Sequence, residues 1–306
     1  MSQQAWNNYW ASGLQSCFPK NSTADTKLQQ VWQQAIHQLA VENGSQVLEI
    51  GCGNGFLTEI IIASLSAVDV TLNLLDYSKV QLDALLVKST NQVKLVEEVG
   101  IEQMPFENDS MDTILANFAF EYANTVEAVM QTCRVLKPGG RFLFNVHAKS
   151  SLVSKVSGSV VAALKQLLAS NTMFANIKSI MSLKQSGEIV NNKPVILAVA
   201  KNVIDELKSI DLANAGGIGN SGVVDDILPL INTSNAVVSL AQLDSMWGNY
   251  RLYKERIEQQ LAVGYDEARI SELDALFAQH GVEVKARPVY VENEIFSFMI
   301  EGYKTL

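Results

Sequence analysis

The feature that most constrains this chain is a short apolar run that stops abruptly on glycines. Gln46-Val47-Leu48-Glu49-Ile50 leads into Gly51-Cys52-Gly53-Asn54-Gly55, and residues 56–66 return to helix-like spacing. The pattern reads as strand, tight turn, helix. Glycines in such a turn let the backbone approach a ligand closely and leave amide N–H groups exposed at a helix N-terminus.

The same alternation recurs downstream. Residues 70–75 form a second apolar run before Asp76, followed by helical spacing over 79–89; weaker strand character follows at 93–96 and stronger at 111–116. A helix then ends in Arg134-Val135-Leu136-Lys137 before Pro138-Gly139-Gly140, read as a helix stop and turn, and 141–146 is again strand. Strands alternating with helices at this spacing argue for a parallel sheet covered on both faces. Ahead of it, 26–42 has helical periodicity ending near Asn43-Gly44.

From about 149 to 264 the alternation stops and the chain reads as helices, the longest over 234–263. Ala215-Gly216-Gly217-Ile218-Gly219-Asn220-Ser221-Gly222 is preceded by no strand and followed by no lysine, so it reads as a flexible linker. Residues 266–280 form a helix stopped by Gly281, and 282–291 and 295–303 read as two strands joined by Glu292-Asn293-Glu294. The expected organisation is a helical cap over 1–44, an α/β core over 45–148, a helical insertion over 149–264, and a closing helix and hairpin over 265–306. In fold class this is doubly wound α/β: a Rossmann-like, seven-stranded, mostly parallel sheet with an antiparallel C-terminal hairpin strand.

Composition narrows the partners. The 32 acidic and 23 basic residues give a formal charge of −9, which opposes binding by counterion release, so no nucleic acid is expected. Cys17, Cys52 and Cys133 are odd in number and far apart, which suggests neither a disulfide framework nor a metal pair and fits a reducing cytoplasm. The first residues lack a basic start and an apolar stretch, so no secretory signal is visible. No apolar run reaches the ~18 residues that a membrane span needs, and the most apolar local stretch, 194–200, is far too short.

The glycine spacing is Gly51-x-Gly53-x-Gly55, with Phe56 where a dinucleotide site places its third glycine. An oxidoreductase using NAD is therefore disfavoured. The run Val47-Leu48-Glu49-Ile50-Gly51-Cys52-Gly53-Asn54-Gly55 resembles the first motif of class I S-adenosylmethionine-dependent methyltransferases, and Leu136-Lys137-Pro138-Gly139-Gly140 resembles a later one. Together with 266–306, the chain is similar to the small-molecule branch that includes quinone-biosynthesis enzymes. The resemblance implies a methyl transfer from S-adenosyl-L-methionine to an O, N, C or S atom of a small-molecule acceptor. The alternatives are a non-catalytic cofactor-binding or scaffold protein and an RNA methyltransferase.

It also implies a set of site residues. Glu49, Gly51, Cys52, Gly53 and Gly55 would wrap the methionine portion of the cofactor. Asp76 stands where a ribose diol would be gripped, since a carboxylate accepts two hydrogen bonds, and Tyr77 would cover the adenine. Many relatives place an aspartate where this chain has Gly100, leaving the Ile101 amide or Glu102 as a substitute contact. Asn117 would meet the methionine end, and Phe118 and Tyr122 would face the acceptor. Trp6, Tyr9 and Trp10 form an aromatic cluster expected to lie over the site, with Trp10 toward substrate. His147, following the fifth strand, is the candidate base, because a neutral imidazole accepts a proton near neutral pH. The three histidines show no metal-ligand spacing. The insertion is expected to select the acceptor, to form a homodimer, or both.

Overall fold

The computed structural model describes residues 2–15, 20–82, 92–232 and 239–306. Cys17 and most of the helix expected over 79–89 lie outside them, and residues 79–82 are irregular. The chain divides into two compact units, residues 1–152 with 262–306, and residues 153–261.

In the first unit, α1 (Gln3–Ala11) is followed by α2 (Thr23–Gln38). The Ser22 hydroxyl accepts from the Asp25 amide at the start of α2. Leu28, Val31, Trp32, Ala35 and Ile36 then give that helix one buried stripe. β1 (Ser45–Ile50), α3 (Phe56–Ser64), β2 (Val70–Leu75), β3 (Gln92–Val96) and β4 (Met111–Asn117) continue the alternation. α4 (Thr125–Val135) is capped by the Asn124 side chain and leads directly into β5 (Leu136–His147). The expected turn at Leu136-Lys137-Pro138-Gly139-Gly140 is thus corrected: the helix does stop, but the chain becomes extended at once. Leu136 pairs with Met111, and a register shift between Met111 and Thr113 accommodates the glycines.

The second unit is helical: α5 (Leu152–Ala169), α6 (Asn171–Gln185), α7 (Ile189–Ala213), α8 (Val223–Ile231) and α9 (Leu240–Val263). Residues 234–238 of the long helix expected from the sequence lie outside the described residues. Its core gathers Leu164, Ile177, Ile180, Val203, Ile227 and Trp247. Lys184 is buried and its Nζ donates to the Leu230 carbonyl at 2.8 Å, near the C-terminal end of α8. The supposed linker at 215–222 is also corrected. It is a packed turn in which Ile218 is buried and a Cβ on Gly217 would stand 2.2 Å from the Ser159 carbonyl oxygen. These glycines serve close packing rather than freedom. The stretch 194–200 lies within α7. Helix α5 is long and apolar enough to cross a membrane by length and composition, a test that core helices of soluble proteins also pass; Val160, Ala163, Leu164 and Leu167 place one of its faces in the core.

The chain returns to the first unit through α10 (Glu267–Ala278), capped by Asp266, and finishes with β6 (Val282–Val291) and β7 (Glu294–Lys304). The hairpin turn has two residues rather than three. Glu292 and Asn293 both have positive φ, as the right-handed twist of a tight hairpin requires, and Val291 pairs with Glu294. The seven strands are ordered β3-β2-β1-β4-β5-β7-β6, with β1 to β5 parallel and β7 antiparallel to both neighbours. This is a mixed, mostly parallel α/β sheet of the doubly wound kind. The order reverses between β1 and β4, opening a crevice beyond their C-terminal ends.

One face of the sheet is locked by stacked aromatics: Phe142 against Phe144 at 4.3 Å, Phe120 against Phe144 at 4.5 Å, and Phe142 near Phe277 at 4.7 Å. Gly302 pairs with Phe142 across β5 and β7, and a Cβ there would stand 2.1 Å from the Phe142 ring. Gly302→Ala is therefore expected to destabilise the protein by about 1–3 kcal/mol through overpacking, measured as a lower urea midpoint at unchanged slope.

Candidate functional site

The β1 to α3 turn is built on left-handed glycines. Gly51, Gly53 and Gly55 have φ of +69°, +50° and +97°, so a side chain at any of them would be strained. Space is as restrictive as backbone angle. A Cβ on Gly51 would lie 2.2 Å from the Ala119 Cβ, and one on Gly53 would lie 2.5 Å from the Trp10 indole. The turn is thus pressed between the end of β4 and the N-terminal helix.

Asp76 ties this turn to the end of β2. Its Oδ2 accepts from the Gly53 amide and its Oδ1 from the Ser78 amide, each at 2.8 Å. Helix α1 is fastened across the same region. The Gln3 side chain donates to the Tyr77 carbonyl, the Asn7 side chain accepts from the Lys79 amide, and Asn54 donates to the Trp10 and Leu14 carbonyls. Of the aromatic cluster Trp6, Tyr9 and Trp10, the first and last line the cavity described next and Tyr9 packs edge-on against both.

Between these elements is a cavity of about 270 Å³. Asp76, Tyr77, Ser78, Gly100, Ile101 and Glu102 line one part, and Trp6, Trp10, Phe118, Ala119, Tyr122 and Ala123 line another. Of the residues singled out in the sequence, Gly51, Asp76, Tyr77, Ile101, Glu102, Trp10, Phe118 and Tyr122 meet there. Glu49, Cys52, Gly53, Gly55, Asn117 and His147 do not line it. Glu49 is buried and accepts from the Thr58 hydroxyl at 2.7 Å. Cys52 is buried, and burial followed by the nearby Asp76 and Glu49 charges pushes its thiol well above the ordinary range. Asn117 faces an internal network: its Oδ1 accepts from the Trp32 indole and from Asn145, each at 2.9 Å.

Gly100 stands immediately before the 3₁₀ turn Ile101–Gln103. Its φ of −75° suits any residue, but a Cβ there would stand 2.6 Å from Glu102 Oε2. The Glu102 carboxylate folds back over position 100 and fills the volume that a side chain at 100 would use. Its other oxygen accepts from the Asn124 amide at 2.8 Å. Arg134 fixes the adjoining loop by donating to the Met104 and Phe106 carbonyls.

The sequence reading missed Glu121. It lies in the 3₁₀ turn Phe120–Tyr122, is fully buried, and its Oε1 accepts from both the ring Nδ1 and the backbone amide of His147, at 2.7 and 2.9 Å. The signal available was a lone acid inside the apolar run 118–123 just past a strand end. Such a charge is costly to bury without a partner.

The comparisons bear on this frame. Residues 48–144 match the family model described as "Methyltransferase domain". The similarity is therefore to the methyltransferase domain family and is confined to this segment. Similar curated proteins include the malonyl-[acyl-carrier protein] O-methyltransferase of Buchnera aphidicola, 31% identical over 107 residues, covering 35% of this chain and 41% of that one. The ubiquinone/menaquinone biosynthesis C-methyltransferase of Pseudomonas paraeruginosa is 29% identical over 156 residues, covering 46% and 58%. The sterol 24-C-methyltransferase of Schizosaccharomyces pombe is 34% identical over 108 residues, covering 35% and 29%. The chain thus spans only about two-fifths of the first of these and less than two thirds of each. The matched segment begins in β1 and ends in β5, so it contains the glycine turn, Asp76, Glu102 and Glu121.

The buried acids Glu49 and Asp76 carry an electrostatic consequence. Burial is the main cause that raises Glu49 from 4.5 to about 8, only partly offset by the Thr58 hydrogen bond, and that raises Asp76 from 3.8 to about 6, against the bonds from Gly53 and Ser78. The unfolded chain releases the Glu49 proton near pH 4.5, whereas the folded protein holds it until about 8. The folded form binds the extra proton across that window, so stability falls as pH rises through it and levels off above. Glu49→Gln should flatten that decline in urea unfolding of the ligand-free protein measured across the window. An unchanged slope would show that Glu49 ionises normally.

Proposed function

We propose that this chain is an S-adenosyl-L-methionine-dependent methyltransferase acting on a small-molecule acceptor at oxygen or carbon. The observation that carries the reading is a cavity at the switch point of the sheet, lined by Asp76 at the end of β2 and by Gly51 of a turn of three left-handed glycines, within the segment that matches the methyltransferase family model.

The residues fit S-adenosyl-L-methionine. The glycine turn leaves backbone surface where side chains would intrude, Asp76 stands at the end of β2 within reach of a ribose diol, and Tyr77, Ile101 and Glu102 bound the part of the cavity suited to a purine. Asp76 already accepts from two backbone amides, so a bound diol would share its oxygens rather than find them free. When bound, the cofactor supplies a methyl group already activated on a sulfonium, so the protein's work is placement and exclusion of water. Trp6, Trp10, Phe118 and Tyr122 give the remaining cavity an apolar, aromatic wall for the acceptor, and α1 serves as its cover. We assign acceptor choice to the helical unit 153–261, which the chain enters and leaves at two adjoining segments: the Lys149 amide donates to the Tyr265 carbonyl, and the Tyr265 amide to the His147 carbonyl.

Calorimetric titration tests the reading. S-adenosyl-L-methionine should bind and NADH should not. Asp76→Ala should weaken the former by about 1–3 kcal/mol, the scale for hydrogen bonds to a charged group. An unaltered affinity would remove Asp76 from the site, and binding without methyl transfer to any of a broad metabolite panel would favour a scaffold.

A further inference from the structure

Glu121, from the 3₁₀ turn after β4, and His147, the last residue of β5, form a buried pair. Glu121 takes two hydrogen bonds from His147 on one oxygen, while its Oε2, also buried, has no hydrogen-bond partner among the described residues. Leaving a carboxylate half satisfied in the interior is costly. Its ring bond with Glu121 has a definite chemical effect. A carboxylate accepts from Nδ1–H, so the neutral imidazole keeps its lone pair on Nε2, and any imidazolium that forms faces a fixed negative charge.

The ring sits next to the cavity's aromatic wall. Its centroid is 4.3 Å from Phe118 and 6.0 Å from Tyr122, and both of those side chains line the cavity. Phe118 is itself held at φ +54°, a left-handed conformation that is strained for a bulky residue. Its ring thus touches the imidazole and also lines the cavity. The other titratable groups near the pair are Tyr122, edge-on to the imidazole, and the Tyr265 phenol. Burial pushes that phenol up to about 12, and it lies under the Arg269 guanidinium, 4.3 Å from its ring centroid. The Tyr265 phenol therefore keeps its proton near neutral pH, and the imidazole of the Glu121–His147 pair is the basic nitrogen beside the aromatic wall.

We propose that His147, oriented by Glu121, takes the proton of the methyl acceptor, and that the acceptor is a planar molecule whose nucleophilic atom carries a weakly acidic proton, of the phenol or enol kind, rather than a carboxylate. This rests on the methyltransferase reading above. As the acceptor's lone pair forms its bond to the methyl carbon, the carbon–sulfur bond breaks and its electron pair stays on sulfur. The acceptor's proton passes to Nε2, and the Glu121 carboxylate balances the imidazolium. A carboxylate acceptor would need no such base. In this scheme Glu121 is a positioning residue, and Phe118 turns aside to admit the acceptor.

The test uses para-nitrophenol, whose phenolate is coloured, bound to the full-length protein already saturated with S-adenosylhomocysteine. At about pH 6, where a neutral imidazole still accepts protons, the bound probe should show a phenolate fraction several-fold above that of the free probe. His147→Asn and Glu121→Gln should abolish the increase while leaving S-adenosylhomocysteine affinity within about twofold, which also reports that the variants are folded. An equal phenolate fraction in wild type and His147→Asn, or no binding of the probe, overturns the proposal. Tighter binding of para-nitrobenzoate than of para-nitrophenol overturns the acceptor class. Failure of wild type to bind S-adenosylhomocysteine appears before any probe is added and takes down both this proposal and the reading beneath it.

Discussion

The contact between Gly51 and Ala119 is the constraint on which the site depends. The strand order reverses at β1 and β4, so the loops leaving these strands would ordinarily diverge. Here the absence of a Cβ on Gly51 lets the two loop ends meet, and Asp76 pulls Gly53 toward β2 from the other side. The glycine turn is held from both flanks by neighbouring strands. The lining from Tyr77 to Tyr122 follows strand ends fixed in this way, and Trp6 and Trp10 of α1 close the rest. Rigid support of this kind is what a ligand site needs if its groups are to be in place before the ligand arrives.

The core of the fold was legible because its signals are local. A strand buried on both faces reads as an apolar run, a glycine turn interrupts it, and an amphipathic helix follows at another period. The hairpin was legible too, but its turn was one residue too long, since Glu292 in the left-handed region gives no sign in the sequence. Leu136 to Gly140 was misread for the opposite reason. Proline and two glycines normally stop a strand, yet a register shift against β4 absorbs them. Gly217 was taken for flexibility because sequence shows only that a side chain is missing, not that the Ser159 backbone occupies its place.

The site was legible in its strand-end residues and opaque in its pairings. Asp76 could be placed by its distance from the glycines, but not the two amides that occupy it. Gly100 could be seen as a departure, while the Glu102 carboxylate folded beside it is visible only in three dimensions. Glu121 was passed over because its partner stands 26 residues away. Asn117 faced the crevice in the linear reading and an internal network with Trp32 and Asn145 in the structure. Side chains at strand ends point alternately to opposite faces, so one step of register separates a site residue from a core residue.

The final strand pair also bears on how copies of this chain can meet. β6 is an edge of the sheet, a row of backbone groups that could pair with another strand. Along it Glu283, Lys285, Arg287 and Pro288 are exposed, and the ladder with β7 is irregular between Val289 and Tyr290. Alternating charges, a residue without an N–H and a kinked register each oppose the addition of a further strand. Self-association that prolongs the sheet across this edge is thereby discouraged, so two copies that pair would have to do so through other surfaces.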